Sequence, residues 1–143
     1  MTAYFKESTV IDRPVATVFR MFAEEHVRNH PRWDPDIKLE QVSAGPMGVG
    51  TMIRRWNSRR GTPVEGTMEV VEYEPNHVLG MLIHDGPIEI KGRTVLEAEG
   101  EDRTRITHNL EFPGMDDSMD KSFMSSEFQR SLRNIKQLIE SET

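Results

Sequence analysis

DDSMDKSFMSSEFQRSLRNIKQLIESET, residues 116–143, is the stretch on which the fold turns. At helical spacing it puts Met124, Phe128, Leu132, Ile135, Leu138 and Ile139 on one stripe, the pattern of a helix that buries one face. Met119 and Phe123 fall almost opposite that stripe. The helix is therefore expected to begin near Ser122, with Phe112 to Lys121 as an irregular gate that Pro113-Gly114 and Asp116-Asp117 suit. Ser125 and Ser131 flank the stripe where bulkier side chains would fill space. No other stretch carries so long a helical pattern, so one terminal helix must supply much of the cover for the rest of the chain.

The rest reads mainly as strands. Tyr4 to Ile11 alternates and is rich in Phe, Thr, Val and Ile, which predicts a first strand. Asp12-Arg13-Pro14 then starts a helix: Asp12 can accept from the free N–H groups of the first turn, and Pro14 costs little where its donor would be unpaired anyway. Val15, Val18, Phe19 and Phe22 share its face as far as about Ala23. Glu24 to Asp36, with Pro31 and Pro35 bracketing Trp33, reads as a second short helical turn and a loop returning Trp33 to the body. Further strands are expected at Asp36–Val42, Thr51–Ser58, Glu65–Tyr73, Val78–Ile83, Ile88–Ala98 and Thr104–Phe112, separated by short turns rich in Gly, Pro and acidic residues. Connections this short imply antiparallel neighbours, because parallel pairs need long crossovers.

Length and composition set bounds. A chain of 143 residues is expected to form one domain able to bury a core without staples. It has no cysteine, which removes disulfides, thiolate catalysis and the common structural zinc sites. No apolar run reaches the length of a membrane span and no leader pattern is present, so a cytoplasmic protein is the default expectation. The formal charge of −6 works against nucleic-acid binding. The exception is local: Arg54, Arg55, Arg59 and Arg60 crowd one segment.

The order of elements and their punctuation resemble the helix-grip superfamily that includes START domains, pollen-allergen-like proteins and polyketide cyclase/dehydrase-like proteins. The matching features are Arg13-Pro14-Val15 and Val18-Phe19 after the first strand, Pro31-Arg32-Trp33-Asp34-Pro35, Gly48-Val49-Gly50-Thr51, Glu72-Tyr73-Glu74-Pro75, Thr104-Arg105-Ile106-Thr107 and the terminal helix. The resemblance spans the chain and implies an α+β helix-grip fold: a curved antiparallel sheet of about seven strands around a long C-terminal helix, plus two short helices. It also implies an apolar ligand between sheet and helix, and only some members are enzymes.

Several side chains are candidates for a site. Trp56-Asn57-Ser58-Arg59-Arg60 looks like the Trp-x-Ser-x-Arg pattern of bacterial aromatic polyketide aromatase/cyclases, differing at Arg54, where that pattern carries a second Trp. Residues two apart share a strand face, so Met52, Arg54, Trp56, Ser58 and Arg60 would line up, either along a cavity or on an Arg-rich exposed hairpin. The resemblance assigns Arg60 the task of polarising a substrate oxygen. His108 lies between Ile106 and Leu110 on an inward-reading face and can serve as acid, base or plain cavity-wall donor; His84 is the second histidine near a strand. His26 and His30 are four apart beside Asp34, but they lack the His-Glu-x-x-His pattern and Pro31 follows, so a surface pair without metal is expected. The glycines at 45, 48 and 50 lead into a strand and give no helix N-terminus for phosphate. Met52, Met68, Met81, Met115, Met119 and Met124 are spread over elements that could line an adaptable apolar pocket or fill the core.

These readings combine into one expectation: binding of a small hydrophobic molecule, with Trp33, Met52, Trp56, Met68, Met124, Phe128 and Leu132 as walls and Arg54 or His108 as anchors. A polyketide-type aromatase/cyclase or dehydratase using Arg60, His108 and Tyr73 is the alternative. A dimeric interaction module pairing two copies through the sheet is a third. Neither a cofactor nor a metal is called for.

Overall fold

The structure, a computed structural model, describes residues 2–115 and 120–143. Seven strands form one sheet: β1 (Thr2–Ile11), β2 (Ile37–Gln41), β3 (Met52–Asn57), β4 (Val64–Glu74), β5 (Val78–Asp85), β6 (Ile88–Ala98) and β7 (Thr104–Pro113). Their order is β1-β7-β6-β5-β4-β3-β2, with every neighbouring pair antiparallel. Strands 2 to 7 thus form the expected meander, and β1 returns beside β7 with Thr2 opposite Pro113 and Ile11 opposite Thr104. A bulge between Val70 and Glu72 adds bend and twist to the curved sheet.

Two short helices follow β1. The first, α1 (Val15–Phe19), runs directly into a π-helical turn at Arg20–Glu24, which Glu25 N–H closes by donating to Arg20 O at 2.9 Å. The second, α2 (His26–Trp33), carries Pro31 inside it and ends on a buried Trp33. Asp12 does not cap α1, contrary to expectation. Its N–H donates to Glu140 Oε2 at 2.8 Å, and its carboxylate lies 3.3 Å from Arg103 and 3.7 Å from Lys136. The C-terminal helix competes for Asp12 and wins.

That helix, α3 (Lys121–Glu142), is held at one end and stands off at the other. Leu132, Ile135 and Ile139 are buried in a core shared with Ile11, Val18, Phe19, Ile53, Val70, Leu96 and Ile106. Polar ties reinforce this half: Asn134 Nδ2 donates to Trp33 O at 3.0 Å, Lys136 Nζ to Val10 O at 2.9 Å, and Arg32 pairs with Glu142. The N-terminal half instead meets a second apolar cluster, where Met124 and Phe128 pack with Phe5 and Phe112. The Phe5 and Phe128 rings meet edge to face at 5.2 Å.

Helix α3 starts one residue before the expected Ser122, because Asp120 Oδ1 accepts from Phe123 N–H at 3.0 Å and supplies the cap. Phe112 and Pro113, assigned above to the gate, belong to β7. The remainder of that expectation, together with Met119, falls largely on residues 116–119, which lie outside the described residues.

Gly66 tests how tightly the sheet is closed beside its polar end. A Cβ there would meet the backbone oxygen of His84 at 1.6 Å, and backbone on the neighbouring strand cannot swing aside. Gly66→Ala should lose about 3 kcal/mol or more in urea unfolding. A loss under about 1 kcal/mol would show that β4 and β5 separate more easily than this register implies.

Candidate functional site

Because α3 is gripped only toward its C-terminus, a cavity of about 510 Å³ remains between sheet and helix. Its apolar wall includes Phe22, Trp33, Met68, Leu79, Met81, Ile83, Ile90, Leu110, Phe112, Met124 and Phe128. The exposed lining residues Arg60, Val64, Asp120 and Phe123 mark where it reaches the surface. Ser131 also lines it, so a small residue beside the stripe does open space.

The polar groups gather at one end, carried by α2, β3, β5 and β7. Arg55 and Asp85 are both buried and meet fork to fork: Nε donates to Oδ1 at 2.7 Å and Nη2 to Oδ2 at 3.2 Å. Asn57 Nδ2 donates to the same carboxylate at 3.0 Å. Burial alone would raise the Asp85 carboxyl, but the Arg55 guanidinium and Asn57 hold it below the usual range. Arg59 pairs with Asp34 through Nη2. Its Nε is buried with no hydrogen-bond partner, the one such side-chain nitrogen or oxygen among the described residues.

Two histidines of α2 join this end. His26 Nδ1 lies 2.8 Å from Phe22 O, and His26 Nε2 lies 3.0 Å from His30 Nδ1. Burial, with His30 beside it, pushes His26 well below its ordinary value. Burial lowers His30 too, against the pull of Asp34 3.9 Å away. The Asp34 carboxyl is held down to about 2: burial works against its charge, but His30 and Arg59 outweigh it. On β7, His108 Nδ1 lies 2.8 Å from Thr94 Oγ1, and burial with His30 nearby lowers it to about 4. Burial thus favours the uncharged form of all three rings.

Of the expected wall and anchor residues, the cavity brings together Trp33, Met68, His108, Met124, Phe128 and Arg60, the last at the mouth. Met81 and Met115 join them. Others need correction. On β3 the inward residues are Ile53, Arg55 and Asn57, so Met52, Arg54 and Trp56 face away from the cavity. Arg54 is exposed, pairs with Glu65 at 2.6 Å and lies over the Trp56 ring at 4.8 Å. Ile53, fully buried, sets the phase, and a one-residue shift moves every side chain to the other face. The strand ends at Asn57, and the turn that follows brings both Arg59 and Arg60 to the cavity. Leu132 belongs to the core rather than the cavity wall. Tyr73 packs against Phe19 at 5.3 Å, away from the cavity. His84 also lies outside it, 3.6 Å from Glu89.

The larger correction concerns His26 and His30, which line the cavity instead of forming a surface pair. Pro31 does not end the helix, so α2 continues and turns them inward. The signal was present: positions 26, 30 and 34 fall on one helical stripe with Trp33 beside it. Among the described residues no group of three or more His, Asp or Glu could hold a metal ion. No helix among them is long and apolar enough to cross a membrane.

The profile of the polyketide cyclase / dehydrase and lipid transport family matches residues 2–140. The chain belongs to that family. No curated protein matches it in sequence. Solved structures do match in shape. A START superfamily protein from Mycobacterium smegmatis superposes with a TM-score of 0.80 at 13% identity, covering 98% of this chain and 99% of that one. The Zhui aromatase/cyclase from Streptomyces sp. R1128 gives 0.79 at 13% identity, with 98% and 94% covered. Norcoclaurine synthase from Thalictrum flavum, solved with dopamine and hydroxybenzaldehyde, gives 0.76 at 14% identity, with 100% and 89% covered. At these identities the likeness establishes the fold alone.

The buried histidines make stability depend on pH. A ring held at about 4 in the fold but titrating near 6.5 when unfolded favours the unfolded chain as pH falls. His108 should therefore remove stability on the order of 3 kcal/mol between roughly pH 6.5 and 4, with His26 and His30 adding losses of the same sign. Urea unfolding across that window should show the decline, and His108→Gln should make it shallower, leaving the part due to His26 and His30. Asp34 enters only lower: its contribution is present above about pH 4 and fades toward 2.

Proposed function

We propose that this chain binds one small apolar molecule bearing an oxygen at one end, inside the cavity between the sheet and α3. The observation that carries the reading is the division of the wall: an apolar body of about 510 Å³ with its polar groups converging at one end. Volumes of roughly 300–1,000 Å³ with few converging polar groups suit small organic ligands. Four methionines in the wall, Met68, Met81, Met115 and Met124, favour tolerance of shape over a single rigid fit. Membership of a cyclase, dehydrase and lipid-transport family supports a lipid, polyketide or aromatic metabolite as the class. The two aromatic molecules held by the norcoclaurine synthase neighbour support the aromatic end of that range.

Catalysis on the bound molecule, of the cyclase or dehydratase kind, is the second reading, favoured by the uncharged histidines at the polar end. Of the groups first considered for it, Arg60 and His108 border the cavity and Tyr73 does not.

Native mass spectrometry of freshly purified protein should reveal a non-covalent apolar adduct of small-molecule mass. Ser131→Trp fills the space beside α3 and should reduce that adduct at least tenfold with little change in the thermal midpoint. Equal adduct in both proteins would place the ligand elsewhere and sink the reading.

A further inference from the structure

Phe22 O, His26, His30 and Asp34 stand four residues apart along one stripe and form a ladder whose protons can be assigned. A carbonyl only accepts, so His26 Nδ1, 2.8 Å from Phe22 O, carries a hydrogen. The ring is enclosed and uncharged, so its Nε2 holds a lone pair. His30 Nδ1, 3.0 Å from that lone pair, must be the donor. The neutral His30 ring then has its one acceptor lone pair on Nε2. The charged atom beside Nε2 is Asp34 Oδ2 at 3.9 Å, which is also an acceptor.

This is a base without a proton, held in place. The π-helical turn orients its support: Asn29 Nδ2 donates to Met21 O at 2.9 Å while His26 takes Phe22 O, and such turns recur at functional sites. Trp33 stacks on the His30 ring at 5.3 Å and limits its rotation. Protonation at Nε2 would place a positive charge 3.9 Å from the Asp34 carboxylate, which favours the charged ring. The other ionisable groups lining the cavity are His26 on α2, Arg55 on β3, Arg59 and Arg60 in the turn after it, Asp85 on β5, His108 on β7, and Asp120 and Glu127 toward the N-terminus of α3. Arg55 is neutralised by Asp85 and Arg59 by Asp34, so neither cation stands alone against the proton. Arg59 also offers a buried Nε–H that has no acceptor among the described residues. An acceptor oxygen on a bound molecule would satisfy it.

We infer that His30 Nε2 is the proton acceptor of this cavity, positioned by His26 and Asp34, with Arg59 Nε–H holding the substrate oxygen on which negative charge develops. The inference rests on the ligand-binding reading above. The substrate class is an apolar carbonyl compound with an acidic C–H beside the carbonyl. His30 takes that proton, the C–H pair becomes the carbon–carbon double bond of an enolate, and the carbonyl π pair moves to the oxygen held by Arg59. Return of the proton from Nε2 to carbon regenerates the base. His30 is then a catalytic residue, whereas His26 and Asp34 act through it.

Long-range proton–nitrogen NMR of the histidine rings at neutral pH tests the assignment without any ligand. The expected result is hydrogen on Nδ1 of both His26 and His30; hydrogen on His30 Nε2 overturns it. The second arm uses 5-nitrobenzisoxazole, whose ring proton is removed by a base as the N–O bond breaks and its electron pair leaves as a coloured phenolate. Wild type should eliminate it saturably. His30→Gln should lower kcat at least tenfold with KM little changed, and His84→Gln on the outer face should leave both unchanged. Asp34→Asn removes the partner of the charged ring and should move the acid limb of the pH–rate profile to lower pH. An elimination rate unaffected by His30→Gln, or an acid limb unmoved by Asp34→Asn, overturns the relay. Methyl shifts at Met68 and Met124 report probe binding. Shifts without His30-dependent elimination overturn the relay alone, whereas their absence overturns the binding reading and the relay together. Should His30→Gln fail to fold, the tautomers in the wild type still decide.

Discussion

The burial of Leu132, Ile135 and Ile139 against the sheet is the contact on which everything else depends. Those three side chains press the last turns of α3 onto the core beneath α1, and the ties from Arg32, Asn134 and Lys136 keep them there. Toward its N-terminus α3 meets the sheet through the partly buried Met124 and Phe128 and not through fully buried side chains. The gap this leaves is bridged by large rings and thioethers, Phe128 and Met124 among them, and not closed. The cavity lies where that packing is incomplete.

Buried polar groups in such a wall need partners, since unpaired charge is costly there. The Arg55–Asp85 fork, with Asn57 on the same carboxylate, meets that demand on the sheet side. On the helix side the demand is met by relaying single protons, from His30 to His26 to the Phe22 carbonyl. The two sides differ in consequence. A closed ion pair has little left to offer a ligand, but a relay built from neutral imidazoles ends in a lone pair, and Arg59 keeps a donor with no acceptor among the described residues. Base and donor at one end of an apolar chamber form an arrangement that can polarise a molecule as well as hold it.

Where the outward and inward faces of β3 fall decides which arginines matter. The Trp56 pattern drew attention to the even positions, and Trp56 is indeed half-buried, but it is covered by Arg54 from outside. The alternation of one strand cannot say which face is which when both carry arginine and an apolar residue. Ile53 could have broken the tie, and only its full burial in the assembled core shows that it does. Likewise Pro31 read as a stop. It loses one helical hydrogen bond yet stays inside α2, because packing of Trp33 and the bond from Asn134 to Trp33 O hold the last turn.

Periodicity and punctuation in the sequence were sufficient for the number and order of the strands, their antiparallel pairing, the two short helices and the long gripping helix. These are local or near-neighbour properties: alternation, turn residues and loop length. The sequence also named part of the cavity wall, since Met68, Met124, Phe128, Trp33 and His108 lie on stripes that the sheet and the helices turn toward each other. What only the tertiary structure decided was the polar end. Asp85 reaches Arg55 from thirty positions away, and Asp34 reaches Arg59 across two strands and the loop between them. Whether His26 and His30 face water or each other depends on how α2 leans on the sheet. Charges are placed by distance in space, and a sequence reports distance only along the chain.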